Sequence, residues 1–471
     1  MRFLALLAFP ALFACSHNGS GNGNNPDGGG GGGSADACVG RGCDVVNCRV
    51  DGKADTSVSG TVFAPNGTLP LYGINVYVPA FDPGPLPAGM TCARCTDPLP
   101  GSPVTRTVTD ERGQFNLIGI PAGDNIPVVI TSGKWRKIVT IPHVDGCTQT
   151  ALPTTQTALP RNHTEGDIPQ IAITTGGADS LECLVRKLGV DDREITTSAG
   201  GGRVHLYAGT GGQSKFKTGY VGGSAAAFAP AAALWGDAAN LAKYDMTFFS
   251  CEGAQDPFDK PQAAMNNVKA YADAGGRVFA THWHNIWIEG SVEDHDQGQT
   301  QAPPMSWTTL GTWTNRDPSE LNKDSSALID EKANPKGQSF ATWMLATGGS
   351  TVRDQIVLQN QPPDPTQNNV VLSTGRTSLA STDPDRTERW VYLPDQGGGT
   401  QNFQFTTPVE QTDPDQRCGK FVFSDMHVSG TSNPADGDFP DSCGPSTTLS
   451  PQEKALAFMF FDIASCVGTI F

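Results

Sequence analysis

The spacing of apolar residues divides the chain into a first part of short alternating strands and a second part in which strands alternate with helices. In the first part, apolar and polar positions alternate over short segments that end at Gly, Pro, Asn or Asp turns. These segments are residues 57–63, 74–78, 105–109, 114–118, 128–131 and 137–141. Strands at this spacing, without a helical pattern between them, predict a small all-β sandwich over residues 57–152.

The second part begins after a linker predicted at residues 153–167. Apolar runs at 168–174, 203–207, 245–250 and 277–281 predict buried strands, and apolar residues recur at helical spacing over 179–190, before Ala242 and over 262–274. Such alternation predicts a doubly wound α/β domain with a parallel sheet over residues 168–471.

A long insertion, residues about 290–416, interrupts this α/β pattern. It contains one predicted helix at 338–345, a strand at 355–358 and β-like stretches at 370–372, 390–393 and 403–405. We expect the insertion to cover the edge or the mouth of the sheet and to shape a binding surface. A strand at 420–424 and a final helix, from a Ser450 cap to Cys466, complete the pattern.

The N-terminus has the layout of an export signal over residues 1–14. Arg2 supplies a positive charge, and the twelve residues that follow are apolar but too few to span a bilayer. The sequence Leu12-Phe13-Ala14-Cys15 resembles a lipobox, which implies that Cys15 receives a lipid and that the mature chain is a lipoprotein. In the lipoproteins that this segment resembles, a residue such as Ser16 favours the outer membrane, facing the periplasm or the cell surface. The Gly- and Asn-rich residues 15–37 then form a flexible tether.

Composition agrees with a chain outside the cytoplasm. A formal net charge of -16 argues against nucleic acid as a partner. The chain has 12 cysteines, so 11 remain after lipidation of Cys15, and an odd number cannot all pair within one chain. We expect disulfides to staple the Cys-rich segment 38–56, and we expect structural pairing of Cys92 and Cys95. Cys251 is a good candidate for the odd thiol.

Three motifs in the first part carry a family resemblance. They are SGTV at 59–62, TDERGQF at 109–115 and IPAG at 120–123. In this order they resemble the carboxypeptidase regulatory-like domain, a transthyretin-like sandwich grouped with carbohydrate-binding-like folds. The resemblance implies a non-catalytic spacer or binding module, with a possible carbohydrate or cell-envelope ligand. Residues 80–103 are an insertion relative to that pattern.

Two segments of the second part resemble the class I glutamine amidotransferase-like fold. They are YDMTFFS at 244–250 and VKAYADAGGRVF at 268–279. In that family a helix that ends in two glycines leads into a strand, and the catalytic cysteine follows the strand. Here that position reads THWHN at 281–285, so the family's nucleophile is absent from its usual place.

Three predicted strands of the α/β domain end in polar residues, and ligands of open α/β sheets bind beyond the carboxyl ends of the strands. These residues are Cys251 and Glu252, His282 and His284, and Asp425 and His427. Cys251 as nucleophile, with His284 or His427 as base and Glu252 or Asp425 as orienting carboxylate, would form a hydrolase or amidase site. Alternatively His282, His284 and His427 hold a metal ion, with Cys251 as a further zinc ligand. The same residues can also simply pack on the sheet.

Three hypotheses therefore remain open. The first, which the sequence favours, is a surface-anchored envelope lipoprotein with a non-catalytic binding or structural role. The second is a cysteine-dependent hydrolase or amidase, and the third is a metal-binding protein. The sequence identifies neither a cofactor nor a substrate.

Overall fold

The computed structural model describes residues 38–291, 301–314, 325–358, 376–396, 399–427, 437–443 and 447–468. The export signal 1–14, the lipid acceptor Cys15, the tether that follows it and the strand expected at 370–372 lie outside these ranges. Among the described residues, no helix has both the length and the apolar character needed to cross a membrane.

The first part of the chain folds into two small facing sheets, as the alternating pattern predicts. Its strands are β1 (Ser57–Thr61), β2 (Asn75–Pro79), β3 (Pro103–Val108), β4 (Gln114–Ile118), β5 (Gly123–Ser132), β6 (Trp135–Val144) and β7 (Gln149–Ala151). One sheet has the order β4-β1-β7 and the other the order β3-β2-β5-β6. Because side chains alternate between the two faces of a strand, residues such as Val58, Val76 and Leu117 are fully buried between the sheets.

The second part builds one large sheet around a parallel centre. Its strands are β8 (Ile171–Thr174), β9 (Ile195–Thr197), β10 (Val204–Ala208), β11 (Ala229–Pro230), β12 (Met246–Phe249), β13 (Arg277–Thr281), β14 (Gly311–Trp313), β15 (Ser325–Ile329), β16 (Gln355–Leu358), β17 (Leu379–Thr382), β18 (Glu388–Leu393), β19 (Gly399–Thr407) and β20 (Gly419–Ser424). The large sheet has the order β11-β10-β8-β12-β13-β20-β19-β18-β15-β16, with β9 beside β10, and β14 pairs separately with β17. The strands from β10 to β20 in this order are parallel.

Eight α-helices lie in the described part of the chain, and all except α1, which packs on the sandwich, belong to the α/β part. They are α1 (Thr154–Thr157), α2 (Leu181–Lys187), α3 (Ala232–Trp235), α4 (Ala238–Leu241), α5 (Gln262–Asp273), α6 (Ile286–Glu289), α7 (Gly337–Ala346) and α8 (Pro451–Ala464). The last helix begins with a capping box, in which the Ser450 hydroxyl accepts from the Glu453 backbone and the Glu453 carboxylate accepts from the Ser450 backbone. The chain is therefore a β-sandwich combined with an α/β part, as expected.

The insertion covers the β20 edge of the parallel strands by adding strands to the sheet. Strands β15, β16, β18 and β19 all come from it and extend the large sheet beyond β20 in antiparallel fashion. Without β19, β20 would present an unpaired edge, and an unpaired edge strand is a template for aggregation. The insertion therefore completes the sheet.

The sandwich and the α/β part share one hydrophobic core instead of being joined by a free linker. Residues 39–471 form one compact unit. The Trp135 ring of the sandwich lies 5.6 Å from the Phe461 ring of α8, and the predicted linker 153–167 contains α1, whose buried Thr157 donates to the Thr61 carbonyl. This segment is packed because its apolar residues complete the sandwich core.

Disulfides reinforce the same arrangement. Cys92 pairs with Cys418, and Cys95 pairs with Cys466, so both cysteines of the sandwich insertion are bonded to the α/β part and not to each other. Two further pairs join Cys48 to Cys147 and Cys183 to Cys443, and Cys38 and Cys43 are also disulfide-bonded. Among the described cysteines only Cys251 is free, as predicted.

Candidate functional site

Three neighbouring parallel strands bring the candidate residues to one edge of the sheet. Strand β13 lies between β12 and β20, and the chain leaves these strands at Cys251, His282 and His427. Register is fixed by backbone pairing, with Phe249 opposite Ala280 and Thr281 opposite Ser424. The carboxyl ends of the strands therefore meet, which is the usual place for a ligand site in such sheets.

Cys251, His282 and His427 form a buried cluster. Their potential ligand atoms all lie within 4.8 Å of one another, and Sγ of Cys251 lies 3.4 Å from Nδ1 of His282. The exposed fractions of the three residues are 0%, 2% and 1%. The Cys251 backbone amide donates to the Thr281 hydroxyl at 2.8 Å, which ties the thiol loop to the end of β13.

Two nitrogen atoms of this cluster have no hydrogen-bond partner. Nε2 of His282 and Nε2 of His427 are both buried and unpaired among the described residues. An unpaired buried polar atom costs about 1–3 kcal/mol. A bound ligand that engages these atoms would recover that cost.

His282 has an unusual backbone conformation. Its φ is +40°, in the left-handed region that a residue with a Cβ rarely adopts. Such strain is found most often at functional sites, where the surrounding structure maintains it. The turn that begins at His282 also redirects the chain from β13 into α6, so it sets the direction of the imidazole.

Burial controls the protonation of the cluster. It raises the pKa of the Cys251 thiol to about 12 and lowers the pKa of His282 well below its usual value, as do nearby His427 and Arg376. Burial and the nearby charge of Arg376 also lower the pKa of His427 well below its usual value. At neutral pH the cluster therefore consists of a thiol and two uncharged imidazoles.

The structure places His284 outside the cluster. Nε2 of His284 donates to the Ser250 carbonyl at 3.0 Å, and its Nδ1 accepts from the Trp287 indole at 3.1 Å. Since both ring nitrogens are bonded, His284 has no lone pair to offer a metal or a proton. The turn at His282 separates the directions of the two histidines, although they are only two residues apart.

Glu252 is also engaged elsewhere. Its carboxylate forms a fully buried ion pair with Lys260 and accepts from the Thr210 amide at 2.8 Å. Burial raises the pKa of Glu252, while Lys260 opposes this shift. Glu252 is therefore mainly a partner of Lys260, and its carboxylate lies 3.9 Å from Nε2 of His284, which already donates to Ser250.

Asp425 and Arg376 lie near His427. Asp425 accepts from the Ser378 amide at 2.9 Å, and its other oxygen has no partner among the described residues. Burial raises the pKa of Asp425 to about 7. Nη2 of Arg376 lies 3.4 Å from Nδ1 of His427.

Sequence reasoning missed Arg376 and Lys260. Arg376 stands in the insertion and Lys260 in a loop, without a pattern that would place either near the site. The Arg376 amide donates to the side chain of Gln401 in β19 at 3.1 Å. Because β19 pairs with β20, this contact brings Arg376 to His427.

The arrangement suits metal ligation better than nucleophilic catalysis. A thiol nucleophile needs a lowered pKa and a base oriented by a third group. The Cys251 pKa is raised, and Nε2 of His282 meets no carboxylate in the described part of the chain. One sulfur and two imidazole nitrogens, in contrast, are a donor set that zinc and copper accept, and a bound ion itself displaces the proton of a coordinating thiol.

Comparisons with known proteins give only distant likenesses. No protein-family profile matches the chain, and no curated protein matches it. A solved ThuA-like protein from Bacteroides uniformis is 10% identical over 62% of this chain and 88% of its own, with a TM-score of 0.30. Two interface mutants of a type II cohesin–X–dockerin complex from Acetivibrio cellulolyticus are 15% and 14% identical, each over 31% of this chain and 76% of their own, with TM-scores of 0.16 and 0.15. At these scores the likenesses carry no argument about function.

Proposed function

We propose that this chain is an exported envelope protein that binds one transition-metal ion of the zinc or copper class through Cys251, His282 and His427. The observation that carries the proposal is the approach of the three ligand atoms to within 4.8 Å of one another. In a tetrahedral zinc site the ligand atoms lie about 3.5 Å apart, given Zn–S of about 2.3 Å and Zn–N of about 2.0 Å. The Sγ–Nδ1 distance of 3.4 Å already matches this spacing.

The surroundings of the cluster support a bound ion. Nε2 of His427, which has no hydrogen-bond partner among the described residues, would gain one, and an ion bound by His282 would account for the backbone strain there. The hydrogen bond from the Cys251 amide to Thr281 holds the sulfur in place before an ion arrives. A ligand set that is positioned in advance binds a metal more tightly than one that must be ordered.

Metal analysis of the full chain tests the proposal. The protein is purified without chelator, and zinc and copper are counted per chain by mass spectrometry. We expect one ion per chain in the wild type and less than one tenth of that in Cys251→Ser, His282→Gln and His427→Gln. Because Cys251 is the thiol ligand, cobalt bound in place of the native ion should show a thiolate charge-transfer band that Cys251→Ser lacks.

A matched control uses His143→Gln. His143 lies on the surface beside Asp124 and Asp145, and it is the obvious place for adventitious metal. This variant should keep one ion per chain. Loss of metal in His143→Gln alone, or unchanged metal in Cys251→Ser, would show that the buried cluster binds nothing.

The envelope location rests on the sequence and on disulfides. Four disulfides with determined partners suit an oxidising compartment and not the cytoplasm. The lipobox-like segment supports a lipid on Cys15. Labelling of cells with a palmitate analogue should mark the wild type and not Cys15→Ala. The variant should also be absent from the membrane fraction. Equal labelling of both proteins would refute the anchor.

A further inference from the structure

A cavity of about 530 Å³ lies between the sandwich and the α/β part. It is at the amino ends of β12 and β13, whereas the metal cluster is at their carboxyl ends. Strands β2, β3 and β6 form one wall, and the starts of β12 and β13 form the other. The sandwich insertion closes it, held by the disulfides of Cys92 and Cys95. This volume suits a small organic molecule.

The cavity is cationic although the protein as a whole is acidic. Its lining contains five Arg or Lys side chains, namely Arg94, Arg106, Lys134, Arg136 and Arg277, against only Asp97 and Asp245. Asp245 is already paired with Lys134 at 2.5 Å, and Asp97 accepts from the Arg94 backbone. Arg136 is also paired with Asp167, and the five cations still outnumber these three carboxylates, which favours an anionic ligand.

Arg277 is the most telling of these residues. It is only 5% exposed, and the two terminal nitrogens of its guanidinium donate to four backbone carbonyls, those of Gly275, Cys418, Ala93 and Ser465. Within the described ranges no carboxylate forms an ion pair with it. Burial lowers the pKa of Arg277 to about 10. A buried guanidinium is costly even though the charges of Asp462 and Asp245 act on it, and a bound anion reduces that cost further.

Two neighbouring guanidinium groups have unused donors. Nε of Arg94 and Nη1 of Arg136 are buried and have no partner among the described residues. Arg136 is 5% exposed and is otherwise held by Asp167 at 2.7 Å. Beside these groups the lining is apolar, with Leu86, Leu99 and Met246.

From these observations we infer that the cavity binds an organic anion, with a carboxylate, phosphate or sulfonate group near Arg94, Arg136 and Arg277 and an apolar body against Leu86, Leu99 and Met246. The unused donors of Arg94 and Arg136 would recognise such an oxyanion through charge-assisted hydrogen bonds, and Arg277 would contribute its charge. The apolar wall adds affinity for a ring or a short chain. This site uses none of the three metal ligands.

Two dyes of nearly the same shape test the inference on the full chain. Anilinonaphthalene sulfonate carries a sulfonate, and N-phenylnaphthylamine carries the same rings without a charge. We expect one saturable site for the sulfonate, with at least tenfold tighter binding than for the neutral dye. Arg94→Gln should weaken sulfonate binding about tenfold and leave binding of the neutral dye unchanged, since it removes a charge-assisted contact.

Controls make each outcome decisive. Arg106→Gln alters an exposed residue of the same cavity and provides a second variant if Arg94→Gln does not fold. Arg193→Gln is the negative control, because it alters an exposed residue that is paired with Asp191 away from the cavity. Equal affinities for the two dyes, no saturable binding, or sulfonate binding that only Arg193→Gln weakens would overturn the inference. Repeating the titration after chelation separates this site from the metal cluster, because its affinity should not change.

Discussion

Sγ of Cys251 lies 3.4 Å from Nδ1 of His282, although the two residues follow different strands and are 31 positions apart. The contact depends on the pairing of β12 with β13 and on the hydrogen bond from the Cys251 amide to Thr281. It is thus a property of the sheet and not of a mobile loop. A thiol in such a contact is a nucleophile, a metal ligand or a packed core group, and its reactivity separates the first from the other two.

We predict that Cys251 reacts slowly in the folded protein. Burial raises its pKa to about 12 and leaves its exposed fraction at 0%, so both the thiolate population and access are small. Brief alkylation near neutral pH, read by mass spectrometry without reduction, should leave Cys251 unlabelled. After denaturation Cys251 should be labelled quantitatively, while the disulfide-bonded cysteines remain unmodified.

Fast labelling of the native protein would favour the hydrolase hypothesis. Since a bound ion would also protect the thiol, the measurement is repeated after chelation. Protection that persists in the metal-free protein must come from burial.

The regular elements were predictable because their signals are local. The strand at 277–281 and the strand at 355–358 were predicted with the bounds that the structure has, and the helix at 262–274 was one residue too long. The strands contain short apolar runs, and the helix repeats apolar residues at helical spacing. The role of the insertion was not predictable, because β18 and β19 pair with partners that no local pattern specifies.

The sequence predicted that polar residues gather at one edge of the sheet, but it did not predict which of them come together. Polar residues after three apolar strands indicated that such side chains meet at one edge of the sheet, and Cys251, His282 and His427 do so. Whether His282 or His284 joins Cys251 depends on the φ of +40° at His282, and the sequence carries no signal for that turn. Lys260, the partner of Glu252, was missed for a similar reason, because the contact is tertiary.

The conformation of His282 makes a prediction about stability. Glycine adopts a positive φ without strain, whereas alanine costs about 1–2 kcal/mol there. His282→Gly should therefore be about 1 kcal/mol more stable than His282→Ala in chemical unfolding with chelator present. Both variants remove the same imidazole and should bind no metal. Equal free energies of unfolding would show that the backbone at this position is not strained.

A close backbone approach at Gly176 leads to a third prediction. A Cβ on Gly176 would lie 2.1 Å from the Cys251 carbonyl oxygen, so Gly176→Ala must displace the thiol loop. We expect a loss of about 1–3 kcal/mol in unfolding free energy and weaker metal binding. Gly201→Ala is the matched control, because a Cβ there meets nothing within 4 Å. If the two variants behave alike, the loop tolerates the shift.

Glu182 should make the stability of the protein depend on pH. It lies in the first turn of α2, it is buried, and neither carboxyl oxygen has a hydrogen-bond partner among the described residues. Burial raises its pKa to about 8, above a value of about 4.3 in the unfolded chain. The folded state therefore keeps a proton that the unfolded state releases, so stability is greatest below pH of about 4 and is lost as the pH rises toward 8.

Glu182→Gln cannot ionise, so its free energy of unfolding should exceed that of the wild type by roughly 3–5 kcal/mol at pH 8 and by much less at pH 5. Denaturant titrations with intact disulfides at these two pH values measure the difference, and a gap that does not grow with pH would mean that Glu182 ionises freely in the folded protein.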